Sequence, residues 1–147
     1  MKILMVCLGN ICRSPLAHGI LEHLAKREAL DWEVDSAGTG SWHIGSAPDR
    51  RSIAVAKKYG IDISQQRCRQ FKVSDFDSFD QIYVMDSQNL EDILSLARNE
   101  TDKGRVALLL ENDSIPDPYY NDAQFEPVFQ LIDQACRLLL KNHKESK

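Results

Sequence analysis

Residues 7–15 read CLGNICRSP and place two thiols, a glycine, an asparagine and an arginine in one short segment. A thiolate is a strong nucleophile. A guanidinium binds two oxygens of a tetrahedral anion in a bidentate manner that a lysine does not match. Cys7 and Arg13 therefore predict nucleophilic chemistry on a phosphate-like anion.

The sequence on either side of this segment predicts a strand before it and a helix after it. Lys2 to Cys7 is a continuous apolar run, typical of a strand buried on both faces of a parallel sheet. Ser14 is predicted to cap the helix, and Pro15 suits the first helical position. Apolar residues then recur at helical spacing from Leu16 to Ala25.

A loop between a strand and a helix N-terminus can bind an anion through its backbone. Gly9 and Asn10 tolerate positive φ, so that successive N–H groups can point inward, and the helix dipole favours the same anion. Cys7 would lie at the bottom of this ring, where the same amides stabilise a thiolate and Ser14 is placed to donate its hydroxyl to the sulfur. No Walker lysine is present, which disfavours a nucleotide P-loop. The predicted phosphate-binding residues are Leu8, Gly9, Asn10, Ile11, Cys12 and Ser14.

The rest of the chain alternates between strand and helix patterns. Further strands are predicted at 32–37, 81–85 and 105–110. Helices are predicted at 49–59, after a cap at Ser87, and from about Asp122 onward. This alternation predicts one α/β domain over residues 1–147, with a doubly wound four-stranded parallel sheet flanked by helices. Ligands of such sheets bind beyond the carboxyl ends of the strands, so the segment ENDSIPDPYYND should face the same cleft as CLGNICRSP.

Composition excludes several classes of protein. The 147 residues carry a net charge of -4, which argues against a nucleic-acid-binding surface. The first apolar run is far too short to span a membrane, and no signal-peptide cleavage site follows it, so the protein is predicted to be cytoplasmic. Its four cysteines are then expected to be thiols rather than disulfides. No cofactor or metal is predicted, and the sequence does not indicate the oligomeric state.

Asp117 lies between two prolines, which hold its backbone in place. A tyrosinate leaves poorly unless it is protonated, and a fixed carboxylic acid can supply that proton and afterwards activate water. Tyr119 and Tyr120 would form an apolar wall deep enough that phosphotyrosine reaches the sulfur while phosphoserine does not.

Other interpretations of these residues stay open. Cys7 could be an inert buried thiol, and Cys12 is either a packing residue or a redox partner that forms a reversible disulfide with Cys7. Cys7, Cys12 and His18 could bind a metal, but a zinc site needs a fourth ligand that the sequence does not offer. Asp80 and Asp86 either support Arg13 or the acid segment, or simply flank a strand.

Asp117 is also a common type of turn residue. The two tyrosines could be ordinary packing aromatics, and Trp42 with His43 could be the tip of a loop. No role is assigned to His43.

The segment CLGNICRSP resembles the signature of the low molecular weight protein tyrosine phosphatases, whose core is C-x5-R-S. DPYYND resembles the Asp-Pro acid loop of that family, and VDSAGT and VMDSQN occur at comparable positions. The resemblance implies hydrolysis of a phosphotyrosine-containing protein substrate through a phosphocysteine. Cys7 would be the nucleophile, Arg13 the phosphate clamp, Asp117 the general acid, Asn10 and Ser14 supports of the loop, and Trp42, Tyr119 and Tyr120 the lining of the substrate pocket. His18 stands where the family more often has Glu.

Two alternative functions fit the sequence less well. An arsenate reductase of the same fold relays oxidation through two further cysteines, expected within residues 73–102, and none is there. A non-catalytic phosphate-binding module would normally have lost the nucleophile or the acid, and both are retained. The sequence favours the phosphatase.

Overall fold

A computed structural model of the chain describes residues 1–111 and 113–145. Asn112, Ser146 and Lys147, which belong to the predicted domain, lie outside the described residues. No helix within the described ranges is long and apolar enough to cross a membrane. The elements, in chain order, are β1 (Lys2–Cys7), α1 (Arg13–Arg27), β2 (Glu33–Gly38), α2 (Arg50–Lys58), α3 (Asp75–Ser78), β3 (Gln81–Val84), α4 (Ser87–Leu94), α5 (Glu100–Gly104), β4 (Val106–Leu108), a 3-10 turn (Asp122–Gln124) and α6 (Phe125–Glu145).

The four strands form one parallel sheet in the order β2-β1-β3-β4. The predicted doubly wound α/β fold is confirmed. The chain moves to one side of β1 to form β2 and to the other side to form β3, so the strand order reverses at β1. A crevice opens at the carboxyl ends of the strands at such a reversal, which places the end of β1 where ligands bind in this class of fold.

Alternation along β1 divides the core into two layers. Ile3, Met5 and Cys7 belong to the larger cluster, which includes buried residues of α1, α2 and α6. Leu4 and Val6 belong to the other cluster, on the opposite face of the sheet. Because successive side chains of a strand point to opposite faces, this pattern turns Cys7 toward the same face as α1.

Two predicted helix caps are wrong. Helix α1 begins at Arg13, with Cys12 at the N-cap position and no side-chain capping bond, because the hydroxyl of Ser14 is turned inward toward Cys7. Helix α4 is capped by Asp86 rather than Ser87, and the Asp86 carboxylate accepts from the N–H of Asn89. The short helices α3 and α5 were not predicted from the sequence.

Candidate active site

Residues 7–13 form a loop, here called the cradle, that closes over the end of β1. Its carbonyl groups accept hydrogen bonds from outside the loop. Thr39 N donates to Cys7 O at 2.9 Å and Gly40 N to Leu8 O at 2.9 Å. Three more such bonds run from Cys68 Sγ to Asn10 O (2.8 Å), from Asp49 N to Ile11 O (2.8 Å) and from Leu16 N to Cys12 O (3.4 Å).

These bonds determine where the amides of the cradle point. In a trans peptide unit the N–H is directed opposite to the C=O. Each carbonyl that accepts a hydrogen bond from outside the cradle therefore turns the following N–H inward. The inward N–H groups are those of Leu8, Gly9, Ile11, Cys12 and Arg13. The first turn of α1 adds its unpaired N–H groups and the positive end of its dipole. The result is a concave site for an oxyanion.

Asn10 shapes the turn of the cradle. Its φ of 57° lies in the left-handed region, which asparagine adopts more readily than most residues. Its side chain is bound at both ends, since Oδ1 accepts from Arg69 N at 3.0 Å and Nδ2 donates to Ser14 Oγ at 2.7 Å. Gly9 does not have the positive φ that the sequence allowed; a side chain there would instead lie 3.3 Å from the ring of His43.

Cys7 places its sulfur at the base of the cradle, 3.1 Å from Ser14 Oγ. The Asn10 amide already donates to that hydroxyl oxygen, so the hydroxyl hydrogen is free to turn toward the sulfur. A second acceptor, Ala37 O, lies farther away at 3.4 Å. A thiolate at this position therefore meets one hydroxyl and the inward amides.

Burial keeps the other three thiols protonated. Burial raises the pKa of Cys12 to about 12, with the charges of Asp49 and Cys7 adding to the effect. It raises the pKa of Cys68 to about 11 and also raises that of Cys136. Because the thiolate is the form of cysteine that attacks phosphorus, these three are poor candidates for the nucleophile of a phosphate reaction at neutral pH.

Arg13 is held rigidly despite its length. The residue is 3% exposed, and its Nη1 donates to Asp86 Oδ2 at 2.7 Å and to Ile115 O at 2.9 Å. Its Nη2 lies 3.8 Å from Asp117 Oδ2. The guanidinium thus joins the cradle to the end of β3 and to the segment that contains Asp117.

Residues 115–121, here called the acid loop, carry Asp117 to the mouth of the site. Ile115 is fully buried, and its N–H donates to Met85 O at 2.7 Å. Asp117 is exposed, and its Oδ1 accepts from Tyr119 N at 3.1 Å. The loop is therefore anchored at Ile115 and presents its carboxylate toward the cleft.

A cavity of about 300 Å³ lies between the cradle and the acid loop. Cys7 and Arg13 form part of its lining, and Trp42, Tyr119 and Tyr120 stand around its mouth with 69%, 38% and 91% of their surface exposed. The aromatic rings of Tyr119 and Tyr120 meet edge to face, with centroids 4.9 Å apart. The remaining lining residues are Leu8, Gly9, Ile11, Cys12, His43 and Asp117.

The structure shows which of the residues with an open role in the sequence lie at the active site. Asp86 contacts Arg13, whereas Asp80 accepts from the N–H of Lys2 at the far end of the sheet. His18 lies outside the cavity lining, with Nδ1 3.1 Å from Ser36 Oγ, and burial holds its pKa below the ordinary 6.5. His43, which had no assigned role, lines the cavity.

The contributors that sequence reasoning missed include Arg51, which lies over the Tyr119 ring, and Cys68 and Arg69, which donate to Asn10. Each acts on the cradle or the acid loop from a distant element, and no local motif marks them. Within residues 1–111 and 113–145, no group of three or more His, Cys, Asp or Glu side chains is arranged to hold a metal ion.

Comparison with known proteins places this arrangement in a family. The family model for low molecular weight phosphotyrosine protein phosphatase matches residues 2–147. The chain is 38% identical to the low molecular weight protein-tyrosine-phosphatase YfkJ of Bacillus subtilis, over 99% of this chain and 97% of that protein. A crystal structure of a protein tyrosine phosphatase from Entamoeba histolytica is similar with a TM-score of 0.93 and 34% identity, covering 99% of this chain and 98% of that one. The structure of DARP, a Drosophila arginine phosphatase, is similar with a TM-score of 0.91 and 34% identity, covering 98% of each chain. The chain belongs to the low molecular weight phosphotyrosine protein phosphatase family.

Proposed function

We propose that this protein hydrolyses phosphotyrosine in protein substrates through a phosphocysteine formed on Cys7. The observation that carries the proposal is the position of the Cys7 sulfur at the base of the cradle, 3.1 Å from Ser14 Oγ and in the lining of the same cavity as Arg13 and Asp117. Nucleophile, anion site and acid thus share one cleft.

In the first step the Cys7 thiolate attacks phosphorus and the bond to the tyrosyl oxygen breaks. Arg13 and the inward amides of the cradle bind the non-bridging oxygens, where negative charge is held in the transition state. Asp117 gives its proton to the departing oxygen, because a tyrosinate leaves poorly unless it is protonated as the bond breaks. The products of this step are tyrosine and phosphocysteine.

In the second step water replaces the sulfur. The Asp117 carboxylate takes a proton from the water as its oxygen attacks phosphorus, and the Cys7 sulfur leaves as a thiolate. Ser14 and the cradle amides stabilise that thiolate, so the groups that activate the nucleophile also make it a good leaving group. Phosphate is released and both residues return to their starting forms.

The substrate enters between aromatic walls. Trp42, Tyr119 and Tyr120 surround the mouth of the cavity while the sulfur, on a residue only 3% exposed, lies at its base. An aryl phosphate is long enough to bring its phosphorus to the sulfur and stacks against these rings, whereas phosphoserine is shorter. The depth of the cavity therefore supports selection of phosphotyrosine.

We also propose that the protein works in the cytoplasm. All four cysteines are free thiols, and the proposed mechanism requires Cys7 to stay reduced, which the glutathione and thioredoxin of that compartment ensure. An oxidising compartment would inactivate the nucleophile.

Relay chemistry of the arsenate reductase type is poorly supported by the positions of the remaining thiols. Cys68 donates to Asn10 O beneath the cradle, and Cys136 is fully buried within α6. A relay needs thiols that can reach the oxidised nucleophile in turn and then meet an external reductant. These two are held inside the core.

A parallel substrate panel tests the proposed function. Phosphotyrosine, phosphoserine and phosphoarginine peptides and arsenate are each supplied to the purified protein, with and without thioredoxin. We expect rapid, thioredoxin-independent release of phosphate from phosphotyrosine, and Cys7→Ser should bind the phosphotyrosine peptide without turnover. Phosphoarginine is included because the Drosophila neighbour is an arginine phosphatase. A preference for phosphoarginine, thioredoxin-dependent arsenate reduction, or full turnover by Cys7→Ser would refute the proposal.

A further inference from the structure

We propose that Arg51 is a positioning residue that ties the acid loop to the cradle and so sets the reach of Asp117 to the leaving oxygen. This inference rests on the proposed function, in which Asp117 is the acid. Arg51 lies outside the cavity lining and acts through its neighbours.

On one side, Arg51 is fixed to the cradle through Asp49. The N–H of Asp49 donates to Ile11 O at 2.8 Å, which attaches the start of α2 to the cradle. The Asp49 carboxylate binds the Arg51 guanidinium as a fork, with Nε to Oδ1 at 3.0 Å and Nη2 to Oδ2 at 2.8 Å. Those bonds hold the pKa of Asp49 below its usual range. The guanidinium therefore has a fixed position relative to the cradle.

On the other side, Arg51 holds the exit of the acid loop. Its Nη1 donates to Asp122 Oδ1 at 2.6 Å. Its guanidinium carbon lies 5.4 Å from the centre of the Tyr119 ring and 4.5 Å from that of Phe125. Cations over aromatic faces are attracted to the ring electrons. One side chain thus touches the aromatic wall of the cavity and the turn that leads into α6.

The contact with Tyr119 reaches Asp117 directly. The N–H of Tyr119 donates to Asp117 Oδ1 at 3.1 Å, so movement of Tyr119 moves the carboxyl group. That bond and the one from Asn121 N to Pro118 O stay within the acid loop, so they shape it without attaching it to the cradle. Arg13 joins the cradle to the acid loop at Ile115 and Asp117. Arg51 supplies a second link, at Tyr119 and at Asp122 just beyond the loop.

This role suits arginine and not lysine. The planar guanidinium binds Asp49 with two nitrogens and Asp122 with a third, while its face remains free for the rings. An ammonium group is a single point charge that cannot maintain these contacts together. The lysine variant should therefore recover the charge without the position.

The test compares Arg51→Gln and Arg51→Lys with a matched control, Arg98→Gln. Arg98 also bridges two carboxylates, those of Asp77 and Asp102, and its guanidinium carbon lies 6.0 Å from the Phe76 ring. It belongs to none of the elements that form the cavity. Arg98→Gln therefore removes two ion pairs and a cation–ring contact, as Arg51→Gln does, but at a place that does not contact the acid loop.

Three quantities are measured: the ratio of kcat/KM for nitrophenyl phosphate to that for phenyl phosphate, inhibition by inorganic phosphate, and hydrogen exchange of the acid-loop amides. For Arg51→Gln we expect the ratio to rise about tenfold or more, because a displaced acid matters most for the poorer leaving group. Phosphate inhibition should stay within about twofold, exchange in the acid loop should rise, and Arg51→Lys should resemble Arg51→Gln. Arg98→Gln should lower Tm without changing the ratio or the exchange.

The inference would be overturned if the ratio of kcat/KM for the two aryl phosphates did not change in Arg51→Gln. It would also be overturned if that ratio changed equally in Arg51→Gln and Arg98→Gln. Loss of phosphate inhibition in Arg51→Gln with no change in ratio would overturn it as well, since Arg51 would then support the cradle alone. Failure of the wild-type protein on both aryl phosphates would refute the proposed function. The exchange measurement would still decide whether Arg51 holds the acid loop.

Discussion

The hydroxyl oxygen of Ser14 lies 3.1 Å from the sulfur of Cys7 and accepts a hydrogen bond from the side-chain amide of Asn10. Because Asn10 occupies an acceptor site of that oxygen, the hydroxyl hydrogen is directed elsewhere, and the sulfur is the nearer of its two acceptors. A Cys7 thiolate has no proton to donate, so Ser14 is then the donor to the sulfur. This matters most when the sulfur becomes a leaving group.

Replacing Ser14 by Ala should slow breakdown of the phosphocysteine more than its formation. A hydrogen bond to a charged group contributes about 1.5–3 kcal/mol, so the second step should slow by about tenfold or more. Stopped-flow assays should then show a burst of phenol followed by a slow rate that is the same for good and poor leaving groups. A slow rate that still depends on the leaving group would place the defect in the first step and contradict the assigned role.

Replacing Asp117 by Ala should affect phosphotyrosine more than nitrophenyl phosphate. General acid catalysis contributes about 10²–10⁴-fold, and an activated leaving group needs little of it. The control is Asp113→Ala, which removes a carboxylate from the same connection between β4 and α6. The measurement is kcat/KM for both substrates. Equal losses of kcat/KM for the two substrates in Asp117→Ala would argue against the acid role. A selective loss for phosphotyrosine in Asp113→Ala would also argue against it.

Cys12 is proposed to protect Cys7 from irreversible oxidation. Peroxide converts the Cys7 thiol to a sulfenic acid with release of water, and attack by the Cys12 thiol releases a second water and forms a disulfide. Wild-type activity lost to peroxide should return with dithiothreitol, whereas that of Cys12→Ala should not. Intact-mass measurement should find two hydrogens lost in the wild type. Equal recovery in both proteins would make Cys12 a packing residue only.

His18 should make stability depend on pH in a defined direction. Burial lowers its pKa in the folded state below the ordinary 6.5, so the unfolded chain takes up the proton first as pH falls. Stability is therefore unaffected above that value and lost below it, until the folded-state pKa is reached. Between about pH 7 and about pH 5, Tm should fall more for the wild type than for His18→Gln. Parallel decreases would show that other groups dominate.

The sequence predicted the cradle well because its parts are contiguous. The apolar run of β1, the tolerance of Asn10 for positive φ and the arginine at position 13 all act within one strand-loop-helix unit. The confirmed sheet then places the end of β1 at the reversal of strand order. The predicted cap at Ser14 is wrong because its hydroxyl is directed inward to Cys7 and does not bind the N–H groups of the helix.

The supports of the site could not be predicted, because they join residues far apart in the chain. Asp86 binds Arg13 across 73 positions, and Arg51 reaches Asp122 across 71. From the sequence, Asp86 either supports Arg13 or the acid segment or simply flanks a strand. In the structure its Oδ2 binds Arg13, and its Oδ1 also caps α4. Only the packing of α2 and α4 around the sheet reveals such dual roles.

Trapping the covalent intermediate is the sharpest test of whether Cys7 is the nucleophile. The protein is mixed with an aryl phosphate and denatured within the first turnover, and the peptide that carries phosphate is identified by mass spectrometry under conditions that preserve a sulfur–phosphorus bond. We predict one phosphate, on Cys7, with more of it retained in Asp117→Ala supplied with nitrophenyl phosphate and none in Cys7→Ser. Phosphate on a histidine or serine, or steady turnover by Cys7→Ser, would contradict the account.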